Sequence, residues 1–144
     1  MTPMETRNLL LQEAKEQLGN MEFALLSMEY KHASDNLLYD AYLAAHTLKG
    51  SSAIFGFDLI VDFSRLVEMV LLGLRTKEIP RDKSVIDLLL NSRDLLKSFF
   101  DHYETYGYLV NNNPLLHQKL TDQLNRLLEN AKTIADSYQP GSGQ

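Results

Sequence analysis

Apolar residues recur along this chain at helical spacing, and the interruptions divide it into five segments. In the first, about residues 4 to 29, Leu11, Ala14, Leu18, Met21, Leu25 and Met28 alternate spacings of three and four, the seam of a helix packed against another helix. Lys31-His32-Ala33-Ser34 reads as a turn, and Ser34 as the N-cap of a second helix over about 35 to 53, its hydroxyl oxygen satisfying a free backbone N–H. Gly56 lets the chain reverse, and Asp58 is the expected cap of a third helix, about 58 to 76, burying Leu59, Phe63, Leu66, Val67, Val70 and Leu74. Pro80 ends that connection. The fourth helix, about 83 to 106, repeats the pattern with Val85, Leu88, Leu89, Ser92, Leu95, Leu96, Phe99 and Tyr103 before Gly107 stops it. Pro114, suited to a first helical position, opens a fifth helix carrying Leu116, Leu120, Leu124, Leu127, Ala131, Ile134 and Tyr138. The expected fold is all-α: an antiparallel four-helix bundle with an additional C-terminal fifth helix along one flank.

Composition narrows the function classes. At 144 residues and 44% hydrophobic, the chain fits one domain with a proper core. The pattern places that domain over residues 1–139, and the Pro140-Gly141-Ser142-Gly143-Gln144 end reads as a flexible tail or linker. A net charge of −5 with scattered lysines and arginines argues against a nucleic-acid partner. The Tyr103, Tyr106 and Tyr108 group is accordingly expected to cover the end of the bundle, not to stack on bases. With no cysteine there is neither a disulfide framework nor a thiolate metal site, and His32, His102 and His117 share no helix face with paired carboxylates, so no metal is expected. No apolar run approaches the roughly 18 residues of a membrane span, and the first residues lack a signal peptide's apolar stretch. A cytoplasmic location follows as the expectation.

Candidate chemistry lies on the second helix. At about 100° per residue, Leu37, Ala41, Ala44, Leu48, Ser52 and Phe55 share one side, and His46 points roughly the opposite way, toward solvent. Tyr42, Leu43, Lys49, Gly50 and Ala53 are its neighbours at helical spacing, leaving little bulk over the imidazole. By itself a histidine on a polar helix face is usually solvated and idle. Glycine inside a helix, however, costs about 1 kcal/mol relative to alanine, and Gly50 therefore calls for a reason such as close approach of another molecule.

The run His46-Thr47-Leu48-Lys49-Gly50-Ser51-Ser52, with Phe55-Gly56-Phe57 after it and Glu68 twenty-two positions beyond the histidine, resembles the signature of histidine-containing phosphotransfer (HPt) domains. It is most similar to the N-terminal phosphotransfer domain of chemotaxis-type (CheA-like) histidine kinases. The resemblance implies that His46 accepts a phosphoryl group on its distal ring nitrogen. The donor would be a histidine-kinase ATP-binding domain and the acceptor an aspartate of a response-regulator receiver domain. Lys49 is then a point charge for the phosphoryl group, and Glu68 takes the proximal ring nitrogen's hydrogen bond, fixing the tautomer. Tyr42, Leu43, Gly50, Ala53 and Arg65 form the implied docking face. Arg65 stands where the chemotaxis family often has a second histidine. ATP and Mg come with the kinase domain, no cofactor is bound by this domain, and no kinase activity is expected from the chain alone.

Read without the resemblance, Glu68 sits with Val61, Ser64, Arg65 and Leu72 on the side of the third helix away from its seam, as a surface glutamate paired with Arg65 or Arg75. Ser51 and Ser52 read as small residues that permit packing. Two alternatives stand beside the main reading: a phosphorelay HPt working between two receivers, and a helical adaptor bundle in which the motif is coincidental.

Overall fold

The computed structural model describes residues 1–30 and 34–137. These form five helices: α1 (Pro3–Tyr30), α2 (Asp35–Ile54), α3 (Asp58–Arg75), α4 (Lys83–Tyr106) and α5 (Pro114–Ser137). Among the described residues there is no strand. The expected turn at Lys31-His32-Ala33, Tyr138 and the tail over 140–144 lie outside them, as does the side chain of Ile134.

Local chemistry sets the helix ends. Thr2 accepts the Glu5 N–H (3.1 Å) and donates its hydroxyl to the Glu5 carboxylate (3.1 Å), a reciprocal cap at the start of α1 with Pro3 in the first turn. Ser34 accepts the Leu37 N–H at 3.1 Å and starts α2 as its pattern predicts. Asp58, expected to cap α3, instead occupies its first turn; Phe57 is the capping residue, with no side-chain bond. The tight reversal explains the shift. Gly56 adopts φ +71°, a left-handed conformation that favours glycine, and Phe57 N–H then returns to Ser52 O at 3.0 Å, so the new helix begins one residue early. Asp58 still contributes, as a negative charge near the positive end of the helix dipole. Asp82 caps α4 through the Val85 N–H (3.1 Å), and Gly107 closes it.

Antiparallel pairing is visible in contacts that run in opposite senses. On α2 and α3, His46 meets Glu68 while Tyr39 and Tyr42 meet Arg75. On α1 and α4, Arg7 donates to Tyr103 O and Arg93 to Leu18 O. Helix α1 packs on α2 and α4, α2 on α3, and α5 lies against both α3 and α4. The core so enclosed includes Met21, Leu25, Leu38, Leu48, Ile60, Phe63, Leu71, Leu74, Leu89, Leu96 and Phe99, all 1% exposed or less. Truncating one of the larger of these costs about 3 to 5 kcal/mol. Leu59, Leu66, Leu88 and Tyr103, expected inside, are only partly buried against this core. Arg93 is buried, 8% exposed, and is satisfied by Leu18 O (3.1 Å) and the Glu22 carboxylate (3.0 Å), which ties α4 to α1. Past α3, Ile79 folds back onto Gly73 so closely that a Cβ there would lie 2.5 Å from Ile79 Cδ1.

The tyrosine group divides, contrary to the expectation that all three cover the bundle end. Tyr103 packs edge-on against Phe57, centroids 5.0 Å apart, while Tyr106 and Tyr108 stand exposed around His102. Tyr106 is the last residue of α4 and Tyr108 follows its Gly107 cap, beyond the turn that packs Phe99 into the core and Tyr103 against it.

Candidate functional site

His46 sits in the middle of α2 with its side chain 55% exposed, held from below by α3. Its Nδ1 lies 2.8 Å from Glu68 Oε1, and the second carboxylate oxygen of Glu68 meets Lys49 Nζ at 2.6 Å. One carboxylate thus joins two residues that α2 presents one turn apart. An ionised acceptor at Nδ1 favours the tautomer with the proton there and the lone pair on Nε2.

Glu68 itself is 8% exposed. The expectation that it lies off the core is corrected, and so is the pairing with Arg65 or Arg75. Arg65 is exposed and 3.7 Å from Asp62, and the Arg75 guanidinium lies over two tyrosine rings. Ser64, expected on the same outward side, is fully buried. The physical reason is that α3 packs on α2, α4 and α5 at once, so its buried arc is far wider than a single seam. Burial pushes the Glu68 carboxyl up, but the hydrogen bonds and charges of Lys49 and His46 outweigh it and hold the group below its ordinary value. It is a carboxylate at neutral pH, able to accept from the imidazole.

Lys49, expected as a point charge for a phosphoryl group, is half-buried and paired with Glu68. Of the expected docking residues, Leu43 is 45% exposed, Gly50 and Ala53 are exposed, and nothing lies within 4 Å of a Cβ built on Gly50. Tyr42 is half-buried, packs against the core, and stacks on the His46 ring with centroids 6.0 Å apart and planes 15° apart. Beneath it, Arg75 lies 5.4 Å from the Tyr42 ring centroid and 4.9 Å from that of Tyr39. The sequence reading missed this contact, although Arg75 follows Glu68 by seven residues, two turns along the same face of α3.

Ser52 and Ser64 are fully buried between packed helices, in keeping with small residues that let backbones approach. Among the described residues no group of three His, Cys, Asp or Glu could hold a metal ion. A groove of about 560 Å³ between α3 and α5, lined by Leu66, Met69, Leu72 and Leu128 among others, contains none of the residues around His46. Among the described residues no helix is long and apolar enough to cross a membrane.

Comparison with known proteins adds to this geometry. The chain is 33% identical over 93 residues to the chemotaxis protein CheA of Klebsiella aerogenes, covering 65% of this chain and 14% of that protein. It is 33% identical over 89 residues to the chemotaxis protein CheA of Treponema pallidum, covering 62% of this chain and 11% of that one. The chain therefore corresponds to a small part of these relatives. Its fold is similar to that of the phosphorylated P1 domain of CheA3 in complex with CheY6 from R. sphaeroides, with a TM-score of 0.76 at 22% identity, covering 85% of this chain and 98% of that one. The sequence model of the Hpt domain matches residues 5–134, from the first turn of α1 almost to the end of α5, and the chain belongs to the Hpt domain family.

Proposed function

We propose that this chain performs histidine phosphotransfer in two-component signalling, with His46 as the residue that carries the phosphoryl group. The observation that supports this best is the 2.8 Å contact between His46 Nδ1 and Glu68 on a side chain that is otherwise more than half exposed. Neutral imidazole attacks through the Nε2 lone pair. A bond forms from Nε2 to the γ-phosphorus of ATP held by a kinase domain as the bond from that phosphorus to the ADP oxygen breaks. The Nδ1 proton stays in place, so the ring gains positive charge as the N–P bond forms. Glu68, buried and ionised, lies against that charge, in surroundings where electrostatic stabilisation exceeds its value in water. Lys49 acts through Glu68 by keeping the carboxylate ionised and in place. In the second step a receiver's aspartate oxygen attacks the phosphorus, the N–P bond breaks, and the electron pair returns to Nε2. Positioning and charge, more than covalent chemistry by the protein, account for both steps.

The CheA relatives favour a kinase ATP-binding domain as donor over a relay between two receivers. A chemotaxis-type receiver is the acceptor in this reading, with the exposed Leu43, Gly50 and Ala53 surface beside His46 as its landing area. The domain then works in the cytoplasm, where kinase and regulator meet, with ATP and Mg bound by the partners.

The test is incubation with the ATP-binding domain of a CheA-type kinase from the same organism and γ-labelled ATP, followed by a chase with its receivers. Label that is acid-labile, maps to His46 and moves to a receiver is the expected result. Absence of label, or label on another residue, overturns the proposal.

A further inference from the structure

His46 is held from two directions, and only one of them involves Glu68. From α3, Glu68 fixes the edge of the ring through Nδ1. Two turns further along α3, Arg75 reaches back to α2 and lies over the Tyr39 and Tyr42 rings at 4.9 and 5.4 Å. Tyr42 in turn stacks on the imidazole, its plane within 15° of the His46 plane. A single hydrogen bond at Nδ1 leaves the ring free to pivot about the N–H···O direction, carrying Nε2 through an arc. A flat neighbour against one face removes that freedom, because aromatic pairs favour offset stacking at centroid separations of about 4.5 to 7 Å.

We propose that Tyr42 is a positioning residue that sets the plane of the His46 ring, and that Arg75 holds Tyr42 in place as a cation against its π face. This rests on the phosphotransfer reading of His46. Tyr42 is suited to the part because it is half-buried and packed on the core, hence a poor candidate for direct contact with a partner. Arg75 is suited because its planar guanidinium covers the aromatic faces while its backbone ends α3. The exposed Tyr39 extends the same platform. Glu68 directly, and Arg75 through Tyr42, fix one edge and one face of the His46 ring. Nε2 is then aimed along one line, which is what an in-line attack on phosphorus requires.

The experiment compares the intact chain with Tyr42→Ala, Tyr42→Phe, Arg75→Gln and Arg75→Lys, using the same kinase ATP-binding domain and labelled ATP. Helical content and thermal unfolding check that each variant folds. Tyr42→Ala is expected to lower the maximal phosphorylation rate at least about fivefold, with KM for the kinase domain changed less than about twofold. Tyr42→Phe, which keeps the flat ring, recovers most of that rate. Arg75→Gln lowers the rate about threefold and Arg75→Lys less, and if Tyr42→Ala does not fold, this pair carries the test. In parallel, NMR relaxation of the His46 ring, measured without any kinase, shows greater ring mobility in Tyr42→Ala and Arg75→Gln than in the parent. Unchanged rates and ring mobility in these variants overturn the brace, and a loss confined to KM overturns it in favour of a docking role for Tyr42. If the parent itself takes no label from the kinase, the phosphotransfer reading fails, while the relaxation data still decide whether the brace exists.

Discussion

His46 on α2 and His117 on α5 both lie against α3, yet they meet different surroundings there. The His46 side chain is 55% exposed, with Nδ1 bonded to the Glu68 carboxylate. His117 is half-buried, with its ring 5.5 Å from that of Phe63 and 6.1 Å from that of Phe99. At His46 the protein supplies an acceptor for one nitrogen and leaves the side chain more than half exposed, the arrangement that the proposed phosphotransfer asks of a nucleophile. At His117 it supplies an apolar wall, and burial lowers the pKa, so the neutral ring packs as an aromatic side chain. In the proposed function the same residue type on the same bundle is thus either a reactive group or a packing group, according to what the neighbouring helices place beside it.

Exchanging the two sites' fates gives the largest expected effect. His46→Gln removes the proposed nucleophile and is expected to abolish labelling by the kinase domain with helical content unchanged, since the side chain is more than half exposed. His117→Gln should label at the parent rate. Loss of label in His117→Gln with an intact fold would show that the contrast between the two surroundings does not govern reactivity.

Glu68→Gln comes next. The amide keeps the shape but no longer stabilises the charge that develops on the imidazole, and it leaves Lys49 without its anion. Phosphorylation is expected to slow at least about tenfold, equivalent to roughly 1.4 kcal/mol. The His46 tautomer read by ring ¹⁵N shifts should move toward a mixture. Stability responds as well. The Glu68 pKa is lowered in the folded state, so its contribution is fully present above the ordinary carboxylate value of 4.5 and is lost as pH falls through the folded value. Urea denaturation should therefore show a gap between parent and Glu68→Gln that is constant near neutral pH and narrows below pH 4.5. A gap independent of pH down to the acid limit would remove the charge from the account.

How much of this was legible in the sequence depended on the range of the interaction involved. The helix starts at Ser34 and Pro114 and the stops at Gly56 and Gly107 are local events, decided by residues within a turn of each other, and they appear where the pattern predicts them. Asp58 missed its cap by one residue because the reversal at Gly56 is tighter than a lone side chain reveals. Exposure of His46 followed from the wheel of α2 alone, because that helix has one wet face. The burial of Glu68 and Ser64 did not, since a helical wheel reports one stripe and α3 is covered by three neighbours. Only the resemblance drew Glu68 to His46. Nothing in the local pattern placed Arg75 over Tyr42, because two residues 33 apart meet only once the bundle has closed.

The smallest effect belongs to His117 and isolates burial from chemistry. Its pKa is lowered from the ordinary 6.5 because burial against Phe63 and Phe99 disfavours the charged ring. In that case the unfolded chain binds a proton more readily than the folded one between the two pKa values. Stability at this residue is therefore present above pH 6.5 and falls as pH drops through and below that value, the opposite direction from a histidine that gains a carboxylate partner. His117→Leu keeps an apolar group against Phe63 and Phe99 and removes the titration. Urea midpoints of the two proteins should differ in slope between about pH 7.5 and 5.5, the parent losing modestly more stability on acidification. Parallel slopes would mean that water reaches the His117 ring freely, and the contrast with His46 would then rest on the carboxylate alone.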